Sequence, residues 1–274
     1  MKNLIFSVGG KGGLGKSLAV LTLADALSQA GVPYAAVDCD CENACKPGAL
    51  HLYLPTAARY DIRSLSNLAA FDCVIANPPF SLEKWGDEVW TSDPFGRNFA
   101  GMPPGKSGDF AWVQHMVKSM APKTGRMAVV LPHGALFRMG KEGEIRERLL
   151  GMDLLEAVIG LGPNLFYGTG LAACILIFRQ KKAKDRKNKV LIVDASKEFK
   201  TGRAQNELLP VHVDRIHGWV RDYTDVDGVA RVVTLDEISA NDHNLNIPRY
   251  IEPTVVQEVL TVEEAMRSEE RRVG

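Results

Sequence analysis

Apolar positions along the chain change their period several times, and each change marks an element. Residues 3–8 are a short apolar run carrying Ile5 and Phe6; glycines follow at once, and over residues 18–30 apolar side chains recur at helical spacing. Gly31 closes that helix, and residues 32–37 form a second apolar strand running into Asp38 and Asp40. Strand, loop, helix and strand within about forty residues predict a right-handed, parallel βαβ unit. Between residues 43 and 70 the pattern turns irregular, with Pro47, Pro55 and polar interruptions.

From Phe71 the alternation restarts. Residues 71–76 read as a strand, 108–120 as a helix, 127–131 as a strand, 143–150 as a helix, and 154–161, 172–178 and 190–193 as further strands. Such an alternation builds one half of a doubly wound sheet, so the expected architecture is α/β, in three layers. Phe137, Arg138 and the glycines at 140 and 143 are expected to form a mobile connection on one side of the sheet. The division expected is residues 1–66 as an incomplete βαβ segment, 67–253 as the main α/β region and 254–274 as a charged tail rich in Glu and Arg.

Composition changes this picture little. At 274 residues and 46% apolar content the chain suffices for a buried core, and its formal charge of +0 makes any nucleic-acid contact a matter of a local patch. The Lys/Arg cluster over residues 179–189 is read as a solvated hairpin tip in preference to a phosphate contact. The five cysteines are read as free thiols of a cytoplasmic protein. Cys39, Cys41 and Cys45 lack C-x-x-C spacing and have only His51 nearby, so no metal site is expected. No apolar run is long enough to span a membrane, and no membrane partner is expected.

Two loops carry candidate chemistry. The first is Gly10-Lys11-Gly12-Gly13-Leu14-Gly15-Lys16-Ser17. It fits G-x-x-x-x-G-K-[ST], in which backbone N–H groups turn inward on phosphate oxygens at a helix N-terminus; Lys16 would neutralise terminal phosphates and Ser17 would hold Mg²⁺. With Lys11 the pattern K-G-G-x-G-K-S resembles the deviant Walker A motif of partitioning-type ATPases of the ParA and MinD kind. That resemblance implies ATP and Mg at the loop, with Asp38 and Asp40 as the acidic residues beside it. The same glycines also fit G-x-G-x-x-G with an acid about twenty positions on at Asp38, a dinucleotide pattern. A tight turn without ligand is the third reading.

The second loop is Asn77-Pro78-Pro79-Phe80, at the end of the strand over residues 71–76. It matches the [DNS]-P-P-[FYW] turn of amino-methyltransferases acting on adenine N6 or cytosine N4. The exocyclic amine of adenine is a poor nucleophile because its lone pair is delocalised into the ring. Acceptors at the Asn77 side chain and the Pro78 carbonyl would draw it towards an attacking geometry, and Phe80 would stack on the flipped base. The prolines fix the turn and remove its N–H groups. A proline turn after a buried strand is the bland alternative.

Further segments resemble, in order, the modification (M) subunits of type I restriction-modification systems. They include Asp93-Pro94-Phe95-Gly96-Arg97, Gly108-Asp109-Phe110-Ala111-Trp112-Val113-Gln114-His115-Met116 and Val130-Leu131-Pro132-His133-Gly134. Asn164-Leu165-Phe166-Tyr167-Gly168-Thr169-Gly170 and Asn244-Leu245-Asn246-Ile247-Pro248-Arg249-Tyr250 follow. The resemblance implies a Rossmann-like, mostly parallel sheet forming the catalytic half of a class I methyltransferase. It also implies S-adenosylmethionine as methyl donor, DNA as substrate, and the specificity (S) and restriction (R) subunits as partners. Asn77, Pro78, Pro79 and Phe80 would be its catalytic turn, while His115 and His133 are read as packing or hydrogen-bonded residues in preference to a catalytic base.

The family's D-P-x-x-G-[ST]-G turn for the cofactor has no counterpart in residues 1–76, nor has its N-terminal helical domain. The chain is therefore read as a truncated methyltransferase, either a fusion of two gene fragments or a composite whose first βαβ unit replaces the missing strands. Lys11 and Lys16 would bring positive charge to where a sulfonium must approach, so poor S-adenosylmethionine binding is expected. The alternative function is a ParA/MinD-type ATPase or nucleotide-binding protein with an appended scaffold.

Overall fold

The computed structural model describes residues 3–7, 34–38, 58–59, 70–166 and 169–252. The loop residues Gly10, Lys11, Gly12, Gly13, Gly15, Lys16 and Ser17, together with Asp40, the three cysteines at 39–45 and the tail over 254–274, lie outside the described residues, so the phosphate-loop reading is not carried by the structure. Asp38 is described as the last residue of a strand.

The strands are β1 (Asn3–Ser7), β2 (Tyr34–Asp38), β3 (Ala58–Arg59), β4 (Cys73–Asn77), β5 (Arg126–Pro132), β6 (Leu155–Leu161), β7 (Ala173–Arg179), β8 (Lys189–Ala195) and β9 (Ala230–Thr234). They form one sheet of order β3-β2-β1-β4-β5-β7-β6-β8-β9. The helices are α1 (Asp87–Trp90), α2 (Asp109–Lys118), α3 (Lys141–Gly151), α4 (Pro210–Asp222) and α5 (Leu235–Ala240). The α/β expectation holds, and the sheet is mixed. β7 runs antiparallel to both β5 and β6, and β9 runs antiparallel to β8, while the other neighbouring strands are parallel. The run over residues 162–172 turns the chain back on itself, so β7 returns beside β6 without a crossover helix.

Period-two alternation in the strands separates two cores. Val74, Ala76, Val129, Leu131, Val158, Leu176 and Ile192 face one side, under Phe110, Val113 and Met116 of α2 and Ile145 and Leu149 of α3. Ala157, Ile159, Leu161, Leu191 and Val193 face the other, under Ile216 of α4, with Trp219 and Val220 packed beside them. β6 is buried at all seven positions, as a strand covered on both faces must be. Helix α2 is buried almost all round, because the segment carrying Trp85, Trp90 and Ala100 closes over it. Gln114 fixes that cover, accepting from the Ala100 N–H (2.8 Å) and donating to the Gly101 carbonyl (2.9 Å).

The chain moves outward through β1, β2 and β3, then returns to place β4 on the other side of β1. In open α/β sheets such a reversal of strand order is where a ligand crevice lies, outside the strands' carboxyl ends. In register the final residues coincide, Ser7 opposite both Asp38 and Asn77.

Two expectations change. Arg138 is pinned between two carboxylates, so the link after β5 is tied down by charge. The cluster over residues 179–189 is only partly a solvated tip. Lys182 is buried, donating to Asp153 (2.6 Å) and to the Lys189 carbonyl (2.7 Å), while Arg179 (2.7 Å) and Arg186 (3.3 Å) pair with buried Glu156. Lys181, Lys184 and Lys187 remain exposed, at the sheet edge opposite Asn77.

Candidate functional site

Asn77 ends β4 at the point where strand order reverses, and the next three residues form the proline turn. Pro78 is buried, and Asn77, Pro79 and Phe80 are half-buried. The Asn77 Oδ1 atom is buried without a hydrogen-bond partner among the described residues. An orphaned acceptor costs about 1–3 kcal/mol in a folded protein, and this one could accept a hydrogen bond from a donor outside the chain. The Phe80 ring meets the Phe166 ring edge-on, centroids 6.1 Å apart and planes at 68°. The structure therefore brings Phe80 of the turn and Phe166 together.

The turn's exit is held from α2. Neither Pro78 nor Pro79 has an N–H, and Ser81, in the left-handed region at φ 49°, donates its backbone N–H to Asp109 Oδ1 (2.7 Å). The Ser81 hydroxyl approaches Oδ2 of the same carboxylate (3.4 Å). Asp109 is fully buried in the first turn of α2. Its Oδ2 also accepts from Arg138 Nη2, with Ser107 Oγ 3.3 Å away. Arg138 Nε donates to Glu142 Oε2 as well, and Ser107 Oγ donates to Glu142 Oε1 (2.9 Å). Burial pushes the Asp109 carboxyl up, and the Ser81 N–H and Arg138 pull it back only in part. Gly134 leaves room for this guanidinium, since a Cβ there would lie 2.5 Å from Arg138 Nη1.

Sequence reasoning missed Asp109, Arg138 and Glu142 as one cluster. An acid in a first helical turn and an Arg/Glu pair four apart were both visible, but each has an ordinary helix explanation.

His115 is sealed in the core beside Arg97, whose Nη1 lies 3.4 Å from its Nδ1. Burial, then Arg97, pushes its pKa to about 3. A ring enclosed there beside Arg97 suits a packing or hydrogen-bonded residue. His133 follows β5 on the crevice side; its Nε2 is buried without a partner among the described residues, and burial lowers its pKa against the pull of the Ala173 backbone and Asp194. Large apolar side chains stand exposed on the same edge: Phe137 (42%), Met139 (63%) and Leu171 (64%). No group of metal-binding side chains and no helix long and apolar enough to cross a membrane occurs among the described residues.

Comparison with known proteins agrees with this geometry. The N-6 DNA Methylase family profile matches residues 56–259. The type I restriction enzyme MjaVII methylase subunit of Methanocaldococcus jannaschii is 38% identical over 196 residues, 68% of this chain and 33% of that protein. The HindI methylase subunit of Haemophilus influenzae is 32% identical over 188 residues, 66% of this chain and 41% of that protein. Among solved structures, a type I restriction-modification system methyltransferase subunit from Streptococcus thermophilus superimposes with a TM-score of 0.77 at 29% identity, over 91% of this chain and 54% of that one. The EcoKI M protein shares the fold, with a TM-score of 0.63 at 16% identity. The chain thus spans about a third of the length of its M. jannaschii relative (33%).

Proposed function

The chain belongs to the N-6 DNA methylase family, and on that premise we propose that it is a methyltransferase of type I restriction-modification systems acting on adenine N6 of DNA. The observation that carries this reading is the Asn77 Oδ1 atom, buried without a hydrogen-bond partner among the described residues, at the reversal point of the sheet.

The described residues suit an aromatic amine. Asn77 Oδ1 and the Pro78 carbonyl would accept one N–H each from the amine, drawing its lone pair out of conjugation with the ring and towards the methyl group. Phe80 would stack on the extruded base, repaying part of the few kcal/mol that unstacking costs. S-adenosylmethionine, when bound, supplies the electrophilic methyl group; the glycines 10, 12, 13 and 15 and Asp38, after β1 and at the end of β2, are the positions that would hold it. The methylated amine is acidic, so its proton can leave to water, and the neutral, buried His115 takes no part.

Residues 67–253 serve in this proposal as the catalytic region, and specificity and restriction subunits as its partners. Relatives described as methylase subunits of type I enzymes support that assignment. The ATP reading of Gly10–Ser17 rests on its sequence motif alone.

Calorimetric titration of the chain with S-adenosylmethionine, against Mg-ATP in the same buffer, tests the assignment. Binding of S-adenosylmethionine, weakened by Lys11 and Lys16 yet tighter than that of Mg-ATP, is the expected result. Binding of Mg-ATP alone would favour the nucleotide-switch alternative.

A further inference from the structure

The Asn77–Phe80 turn is poor in internal hydrogen bonds. Neither Pro78 nor Pro79 has an N–H, and Asn77 Oδ1 is unpartnered among the described residues. What fixes the turn's exit is one side chain twenty-eight residues on, Asp109, which takes the Ser81 N–H at 2.7 Å and stands near the Ser81 hydroxyl at 3.4 Å. Ser81 needs such a restraint, because a residue with a Cβ is costly in the left-handed region where it sits (φ 49°). Asp109 is in turn immobile. It is fully buried and held by Arg138, with Gly108 before it packed so tightly that a Cβ there would lie 2.9 Å from Trp85 Cβ.

We infer that Asp109 is a positioning residue of the site: through the Ser81 amide its carboxylate sets the direction in which the turn presents Phe80 and the Pro78 carbonyl to a base. This rests on the reading of the turn as a base-amine site. Asp109 itself touches no substrate; it acts one residue beyond Phe80. Because misplacement of a reacting group by about 1 Å can cost on the order of a hundredfold, a rigid anchor at this point matters more to orientation than to affinity.

The test uses the full chain and a short single-stranded oligonucleotide carrying one 2-aminopurine and a distant dye. Dye anisotropy reports strand binding; 2-aminopurine emission reports stacking on Phe80. The wild type should change that emission on binding and Phe80→Ala should not.

Asp109→Leu has nearly the same shape and leaves Arg138 with Glu142 as a matched pair, so it should fold. It should bind the strand as the wild type does, yet lose the emission change by roughly tenfold or more. Asp109→Asn keeps an acceptor for the Ser81 N–H and should recover most of the change. If Asp109→Leu retains the full emission change while Phe80→Ala lacks it, the inference is overturned and the site reading stands. If Phe80→Ala and wild type behave alike, the site reading fails and takes the inference with it. Should Asp109→Leu not fold, hydrogen exchange of the wild-type Ser81 amide decides: strong protection supports the anchor, and exchange at the rate of an open loop removes it.

Discussion

Gly160 of β6 and Ile247 occupy adjoining space so fully that a Cβ on Gly160 would stand 2.3 Å from Ile247 Cδ1. Ile247 belongs to the 244–250 segment, which folds back on the sheet; there the Leu245 N–H donates to the Leu136 carbonyl (2.9 Å) and the Tyr250 hydroxyl to the Asn244 carbonyl. Gly160→Ala is expected to destabilise the fold by about 1–3 kcal/mol through overpacking. Ile247→Val removes the clashing atom, so the double variant should recover part of that loss. A urea double-mutant cycle should give a coupling of about 0.5 kcal/mol or more; additive effects would show that the segment shifts freely.

His115 gives a pH prediction with a definite sign. Its ring is held neutral in the fold, with a pKa lowered from 6.5 to about 3 by burial first and Arg97 second. The unfolded chain takes up a proton below about pH 6.5 that the folded chain refuses. The stability tied to this neutral ring is therefore complete above the unfolded pKa. It is lost by about 1.4 kcal/mol per unit as pH falls towards the folded value. Between about pH 6.5 and about pH 5 the wild type should lose about 2 kcal/mol more than His115→Gln, read from urea midpoints. Parallel pH curves would remove His115 as a cause of acid lability.

The basic segment over residues 179–189 divides by burial. Lys182→Ala strips Asp153 of a partner and leaves the Lys189 carbonyl without its donor, and should cost about 1–3 kcal/mol. Replacing Lys181, Lys184 and Lys187 together by Ala should leave both stability and DNA affinity within about twofold, because they stand on the far edge of the sheet. Loss of DNA binding in that triple variant would place nucleic acid on the wrong edge for the Asn77 turn.

Much of this was legible in the residues. The strands at 127–131, 154–161 and 172–178 and the helix at 108–120 were read to within a few positions, because two covered faces impose near-continuous apolar runs. The antiparallel course of β7 was not legible, since direction within a sheet leaves no trace in a strand's own periodicity. Asn77, Pro78, Pro79 and Phe80 could be picked out from a four-residue pattern at a strand end. Their support could not: Asp109 and Arg138 are 29 positions apart, and nothing local distinguishes a buried charge network from the ordinary polar face of a helix. The basic cluster was misjudged in part for the same reason, because Lys182 finds Asp153 only through the fold.

Asn77 should be separable from stability altogether. Its Oδ1 has no partner to lose among the described residues and its burial carries a cost, so Asn77→Ala is expected to be at least as stable as the wild type. A loss of stability would mean that the side chain braces the turn, which would weaken its assignment to an incoming amine.

The most direct measurement is transfer of tritiated methyl from S-adenosylmethionine to unmethylated duplex DNA by the wild-type chain and by Asn77→Ala, with the labelled base identified after digestion. The account predicts label in N6-methyladenine for the wild type and a loss of about a hundredfold or more in Asn77→Ala without loss of stability. Equal labelling by both chains, label on another base, or no label from a wild-type chain that binds S-adenosylmethionine would contradict it.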